Sequence, residues 1–184
     1  MIFLETSRLR LVPAAQELAG EVCAYYRRNR AFLEPYDPRR EESFFTEDHQ
    51  RRLLAQDEAL AQSGRGHRFY ICLPEDSDRV AGTIALNSIV MGAFRSCFLG
   101  YKLDQAYLNR GYMTEAIGLV TDYAFAQLRL HRIEANVMPW NAPSLRVLEK
   151  NGYEREGISR EYLYINGKWE DHVHMVKLNR ELRL

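Results

Sequence analysis

An α+β fold (α/β mixed), organised as one domain over residues 1–184, is what this sequence predicts, and three features predict it. Short β-type runs alternate with segments whose apolar residues recur at helical spacing. Between Leu99 and Ala116 a strand-like run passes through a short loop with one glycine into the strongest helical segment. Further on, Asn166-Gly167 joins two long β-type runs, a strong hairpin signal. No internal repeat, low-complexity tract or linker interrupts the chain.

Ile2 to Val12 alternates in part, with Leu9 and Leu11 against Arg8 and Arg10, and reads as a strand that Pro13 ends. Proline suits a helix's first turn, and Leu18, Val22, Tyr25 and Tyr26 then extend a helix to about Phe32. Pro35 and Pro38 break the chain. Thr46 before Glu47 and Asp48 starts a second helix, with Leu53, Leu54 and Leu60 as its apolar face and Gly64 and Gly66 closing it. Phe69 to Leu73 is a strand and Pro74 to Asp78 a turn. Val80 to Val90 and Ser96 to Leu103 are further strands, with Gly92 in the loop between them. Thr114 to Leu128 places Ala116, Leu119, Val120, Tyr123, Ala124 and Leu128 on one helical face. His131 to Val137 is a strand, and Asn141-Ala142-Pro143-Ser144 opens a short helix that Asn151-Gly152 closes. Tyr153 to Ile165 and Lys168 to Leu178 are the strands of the hairpin.

Lys and Arg number 25 and Asp and Glu 25, so the formal net charge is zero. A duplex-binding protein carries a basic excess, which argues against direct contact with nucleic acid. The chain is long enough to bury roughly 70% of its unfolded surface without staples. Three scattered cysteines, Cys23, Cys72 and Cys97, form no C-x-x-C pair and fit a reducing compartment. Met1 to Arg8 meets a charge too early for a signal peptide, and no apolar run reaches membrane-spanning length. The expected setting is the cytoplasm, without a membrane partner, as monomer or homodimer.

The Leu99–Ala116 stretch also carries the chemistry. A helix that starts straight after a glycine loop directs unpaired backbone N–H groups at whatever lies in front of it, and a phosphate is the natural occupant. Asn109-Arg110-Gly111 has neither the G-x-G-x-x-G of a dinucleotide site nor the G-K-[ST] of a P-loop, so alone it names no ligand. Its neighbours add to it: Leu99-Gly100-Tyr101, Arg110-Gly111-Tyr112-Met113-Thr114-Glu115-Ala116, His131-Arg132-Ile133, Met138-Pro139-Trp140-Asn141 and Lys168-Trp169-Glu170-Asp171-His172-Val173. With these the chain resembles the GNAT-type acetyl-CoA-dependent N-acetyltransferases, closest to the RimJ-like ribosomal-protein-alanine acetyltransferases. The opening Thr6-Ser7-Arg8-Leu9-Arg10-Leu11 is similar too. The resemblance is dense from Asn87 to Leu178 and thin from Pro13 to Gly66.

That resemblance implies a central, mostly antiparallel sheet, splayed between two strands and flanked by helices. It implies acetyl-CoA as cosubstrate, with backbone groups of Tyr101, Lys102 and Leu103 pairing with the pantetheine arm. The diphosphate is expected on the amides of Asn109, Arg110, Gly111, Tyr112, Met113 and Thr114. Asn141 is expected on the pantetheine amides and Ser144 near the sulfur. The implied acceptor is an amine, foremost the α-amine of an alanine-led protein N-terminus, such as that of a basic ribosomal protein. Four positions depart from the family's pattern. Leu108 and Met113 stand at the first and last places of the loop motif, Phe98 where many relatives carry a glutamate, and Leu148 where many carry a general-acid tyrosine.

Attack on a thioester needs a neutral amine. Near neutral pH roughly a tenth of an α-amine is neutral, against under about 0.1% of a lysine. A site without a dedicated glutamate therefore favours an N-terminus. Ser144 is the candidate proton donor to the leaving thiolate; its other reading is a first-turn helix residue. Asp171 and His172 are candidates for lining the acceptor end and relaying a proton through water, and strand-end hydrogen bonding accounts for them equally. His172 and His174 share a strand face without further ligands at suitable spacing, so no metal is expected. Cys97 reads as packed, and Trp140 and Tyr153 as core or cleft wall. Glu41-Glu42, Glu47-Asp48 and Asp57-Glu58, set against Arg39-Arg40 and Arg51-Arg52, make a mildly acidic stretch: a solvated helix face, or a surface for a basic protein tail. Two alternatives stay open. One is acetylation of a small amine such as an amino sugar or polyamine. The other is a non-catalytic CoA-binding module, which Phe98 and Leu148 keep in play.

Overall fold

The computed structural model describes residues 4–183, without the side chains of Ser77 and Asp78. Its strands are β1 (Leu4–Glu5), β2 (Arg10–Pro13), β3 (His67–Leu73), β4 (Asp76–Val90), β5 (Ser96–Leu103), β6 (Arg132–Val137), β7 (Glu154–Ile165) and β8 (Lys168–Leu178). They form one sheet in the order β1-β2-β3-β4-β5-β6-β8-β7. Every neighbouring pair is antiparallel except β5 with β6. The helices are α1 (Ala19–Arg28), α2 (Arg30–Leu33), α3 (Glu47–Gln62), α4 (Tyr112–Ala126) and α5 (Ala142–Lys150).

Both faces of the sheet are covered, and β3 shows how. Phe69, Ile71 and Leu73 belong to one core with Ala116, Ile117 and Val120 of α4 and Leu145 and Leu148 of α5. Tyr70, between them, belongs to a second core with Val22 and Tyr25 of α1 and Leu54 of α3. Alternate residues point to opposite faces, and with both faces buried the strand reads as continuously apolar. Among the described residues no helix is long and apolar enough to cross a membrane.

The N-terminal region differs from the sequence reading. The single strand expected over Ile2 to Val12 is two short ones, separated by a turn in which Thr6 N donates to Leu9 O at 2.9 Å. The Thr6 hydroxyl draws this turn shut by accepting from the amides of Arg8 and Leu9. The part of that strand before Leu4 lies outside the described residues. Pro13 closes β2 opposite Phe69 rather than opening a helix. The helix expected to run to Phe32 divides at Asn29, whose fully buried side chain donates to Tyr25 O and accepts from Gln105 N. The turn after β3 is only Pro74 and Glu75, and α4 begins at Tyr112, two residues before Thr114. At the β7–β8 hairpin Asn166 (φ 43°) and Gly167 (φ 88°) are both left-handed, the twist that a two-residue hairpin requires.

Candidate active site

Parallel pairing of β5 with β6 covers only Ser96↔Arg132, Cys97↔Ile133 and Phe98↔Glu134. Beyond that, β5 runs on to Leu103 and β6 to Val137 with no ladder between them. The other edge of β5 stays paired to β4 through Ile84↔Tyr101, Thr83↔Lys102 and Gly82↔Leu103. The strand therefore offers free backbone donors and acceptors to the opening, as any sheet edge does.

A cleft of about 410 Å³ occupies this opening. Tyr101, Lys102 and Leu103 of β5 wall it, with Asn109, Gly111, Tyr112, Met113 and Thr114 of the loop and α4, and Asn141 and Ser144 at the start of α5. Of the expected coenzyme residues Arg110 alone is absent from the wall. Its guanidinium lies 5.7 Å from the Tyr107 ring centre, and its carbonyl accepts from Arg8 at 2.6 Å. Phe32, Leu33 and Tyr36 close the opposite side. No Asp, Glu or His stands on the wall among the described residues, whereas Lys102, Arg146 and Lys150 do.

Gly111 is the N-cap of α4 at φ 82°, ψ −3°. A side chain in that left-handed conformation costs roughly 1–2 kcal/mol. Space is not the reason for glycine: a Cβ there meets only Arg8 Nη1, at 3.8 Å. No side chain caps α4, and its first bond is Glu115 N to Gly111 O. The amides of Tyr112, Met113 and Thr114 are thus left without partners in the helix. Arg8 lies along this loop, 3.3 Å from Glu115 Oε2 and stacked 4.7 Å from the Tyr112 ring centre, while the Thr6 hydroxyl donates to the same Glu115. Sequence reading did not place Arg8 beside this loop; its signal was the Thr6-Ser7-Arg8 opening. Lys102 is engaged by Asp37, which leaves Arg146 and Lys150 as the wall's unpaired cations among the described residues; with a free strand edge and a bare helix N-terminus they fit a long amide-bearing arm that ends in phosphates.

Across the splay, the Tyr101 hydroxyl lies 2.7 Å from Ser144 Oγ and 3.2 Å from the Ser144 carbonyl oxygen. Burial pushes the Tyr101 phenol well above its ordinary range, so it stays neutral. Asn141 Oδ1 caps α5 by accepting from Ser144 N at 3.3 Å, with Pro143 in the first turn. Its side-chain Nδ2 has no hydrogen-bond partner among the described residues, while its backbone N donates to Met138 O at 2.9 Å.

Other expected residues lie elsewhere. Asp171 and His172 are not on the cleft wall. Asp171 Oδ1 accepts from Glu161 N at 2.8 Å, holding the bulge that puts Glu161 at φ 47°. His172 is buried, with Nδ1 at 3.0 Å from the Glu170 carbonyl and its ring 5.6 Å from that of Tyr162. A carbonyl only accepts, so Nδ1 carries the proton. His174 turns to Glu134 instead, Nε2 to Oε2 at 2.5 Å. Among the described residues no group of three or more His, Cys, Asp or Glu is placed to hold a metal ion. Trp140 is half exposed and stacks on Tyr36 at 5.3 Å, while Tyr153 is core. Cys97 is buried and its thiol is pushed up to about 12, first by burial and then by Glu134, which makes it inert. Leu148 is fully buried. The acidic stretch is largely self-satisfied: Glu42 pairs with Arg30, Glu47 and Asp48 with Arg51, and Asp57 with Arg68. These pairs match the reading of the stretch as a solvated helix face.

Comparison with known proteins points one way. Residues 8–154 match the family model described as acetyltransferase (GNAT) domain. The probable N-acetyltransferase YjcK of Bacillus subtilis (strain 168) is 44% identical over 151 residues, covering 82% of this chain and 83% of that protein. The crystal structure of the ribosomal-protein-S5-alanine acetyltransferase from Vibrio fischeri has a TM-score of 0.95 at 30% identity, covering 100% of both chains. Mycobacterium smegmatis RimJ in complex with CoA-disulfide has a TM-score of 0.88 at 28% identity, covering 96% of this chain and 84% of that one.

Proposed function

The chain belongs to the GNAT acetyltransferase family, a fold that binds coenzyme A in its relatives' structures, and on that premise we propose that it acetylates the α-amine of an alanine-led protein N-terminus. The similarity to a ribosomal-protein-S5-alanine acetyltransferase supports this acceptor, and a ribosomal protein in the cytoplasm is its expected source. One observation carries the reading: among the described residues the cleft wall holds no carboxylate or imidazole, and the neighbouring carboxylate, Asp37, is engaged by Lys102. Without a base on the wall, the acceptor must arrive partly neutral. Near neutral pH an α-amine meets that condition roughly a few hundred times better than a lysine.

Acetyl-CoA supplies an activated acetyl thioester when bound. The β5 edge from Tyr101 to Leu103 would hold its arm, and the amides of Tyr112, Met113 and Thr114 its diphosphate. Ser144 holds a proton at Oγ for the departing sulfur, and Tyr101 stands behind it as hydrogen-bond partner. Mass spectrometry of products from Ala-, Ser- and Met-led peptides, an N-blocked lysine peptide and several small amines tests the reading. Ala-led peptides should lead, with kcat/KM roughly a few hundredfold above the lysine peptide. Faster acetylation of lysine or of a small amine would overturn it, and coenzyme binding without turnover on any acceptor would favour a CoA-binding module.

A further inference from the structure

A second pocket, about 170 Å³, opens beside the cleft between α1, α2 and the two short 3-10 turns Glu34–Tyr36 and Glu42–Phe45. Tyr26, Leu33 and Phe44 give it an apolar floor, and Arg30, Arg39 and Arg40 stand on its wall. Leu33 also walls the cleft. Asp37, on the pocket side, and Lys102, on the cleft side, form a 2.6 Å ion pair that joins the two. At about 30 Å³ per water, the pocket has room for one short side chain and none for a nucleotide.

Its charge is set by which groups are already engaged. Arg30 is neutralised by Glu42, and both oxygens of Asp37 lie 2.6 Å from Lys102 Nζ. Arg40 stacks 4.6 Å from the Phe44 ring centre and comes only to 4.0 Å from Asp37. Arg39 lies against the hairpin tip, 3.2 Å from where a Cβ of Gly167 would stand, and has no acidic partner among the described residues. Glu34 is the other carboxylate on the wall and is exposed. Two guanidiniums facing one solvated carboxylate leave the pocket positive.

We propose that this pocket receives an acidic side chain of the acceptor, a carboxylate held by Arg39 and Arg40 within a few residues of the reacting amine. The proposal rests on the peptide reading of the acceptor. A guanidinium presents paired N–H donors that match a carboxylate, and stacking on Phe44 holds Arg40 ready. One shared side chain, Leu33, separates pocket from cleft, so the acidic residue belongs near the start of the peptide.

The test is steady-state kinetics with Ala-led pentapeptides carrying Glu, Gln or Lys at positions 2 to 4. The parent enzyme should show a KM about tenfold lower for the best Glu peptide than for its Gln counterpart, with kcat little changed. The preference should weaken in high salt, as screening of exposed charges requires. Arg39→Gln with Arg40→Gln should erase it while leaving turnover of the Gln peptide and the coenzyme-induced thermal shift intact. Arg39→Glu with Arg40→Glu should move the preference to the Lys peptide, which no merely structural role predicts. Equal kcat/KM for Glu and Gln peptides would overturn the pocket and leave the N-terminal reading standing. Acetylation of small amines but of no peptide would overturn both.

Discussion

Tyr101 and Ser144 share one hydrogen-bonded unit across the splay, and its proton arithmetic constrains the chemistry. The phenol hydrogen serves the Ser144 carbonyl when Ser144 Oγ–H points at the phenol. It can turn to Oγ when Ser144 gives its proton elsewhere. Ser144→Ala should therefore lower kcat by about a hundredfold, within the usual range for a lost general acid, while the KM for acetyl-CoA stays put. Tyr101→Phe should lower kcat less, because the serine still donates; a loss equal to that of Ser144→Ala would make the tyrosine the principal donor. Gly111→Asp should weaken coenzyme A binding at least tenfold by titration calorimetry, through strain at φ 82° and an opposing charge rather than through crowding, since a Cβ has room there. Parent-like affinity would remove the helix start from the coenzyme site. The helix starts at Gly111 and Asn141 were legible because loop chemistry is local, whereas the coenzyme roles expected of Asn141 and Ser144 came from the resemblance. Arg8 was not legible: its contact with Arg110 spans 102 positions of chain. Asp171 holds a β-bulge and His172 lies against the Glu170 carbonyl, contacts that residue types at short spacing do not reveal.

The loop that presents Gly111 is fixed by an element far away in sequence. Asp104 is buried, accepts from Ala106 N at 2.9 Å and Arg28 Nε at 2.6 Å, and meets Arg79 at 3.2 Å. Asn29 completes the anchor from the end of α1 by accepting from Gln105 N at 3.0 Å. This explains why periodicity overran the helix break: nothing between Leu18 and Phe32 signals that Asn29 is engaged by Gln105. The β7–β8 turn and α4, whose signals are local, were readable within two or three residues. Burial alone would raise the Asp104 carboxyl, but the bonds from Ala106 and Arg28 and the charge of Arg28 outweigh it and hold it below the ordinary carboxylate range. A pKa lowered by folding contributes stability that is present above the unfolded value of about 3.9 and lost as pH falls through the folded one. Asp104→Asn should cost about 2 kcal/mol at pH 7, below the figure for a fully buried pair because Arg28 and Arg79 keep solvent contact. It should also flatten the acid side of the stability profile. Urea melts from pH 3 to pH 7 check both, and an unchanged slope would show that the carboxylate gains nothing from its partners.

At the scale of the molecule, the cleft draws its walls from both helical layers. Phe32, Leu33 and Tyr36 come from the segment that packs with α1 and α3, whereas Gly111 to Thr114 and Ser144 belong to α4 and α5 on the other side of the sheet. The ring of Trp140, in the loop before α5, lies 5.3 Å centre to centre from that of Tyr36. The fold class was legible because strand and helix periods are local, and the splay followed from resemblance. The seating of α2 over the opening was not, because the break before it is set by the contact of Asn29 with the distant Gln105. A ligand bound between two layers should tighten both. Coenzyme A at about 100 times its Kd contributes about 2.7 kcal/mol, which for a domain of this size is a Tm rise of roughly 5–10 °C. Hydrogen exchange locates that gain: amides of the first turn of α4 should slow, and so should those of α2 and the Glu34–Tyr36 turn. Slowing confined to α4 would mean that the α1–α3 layer does not close on the coenzyme, leaving Phe32, Leu33 and Tyr36 to the acceptor alone.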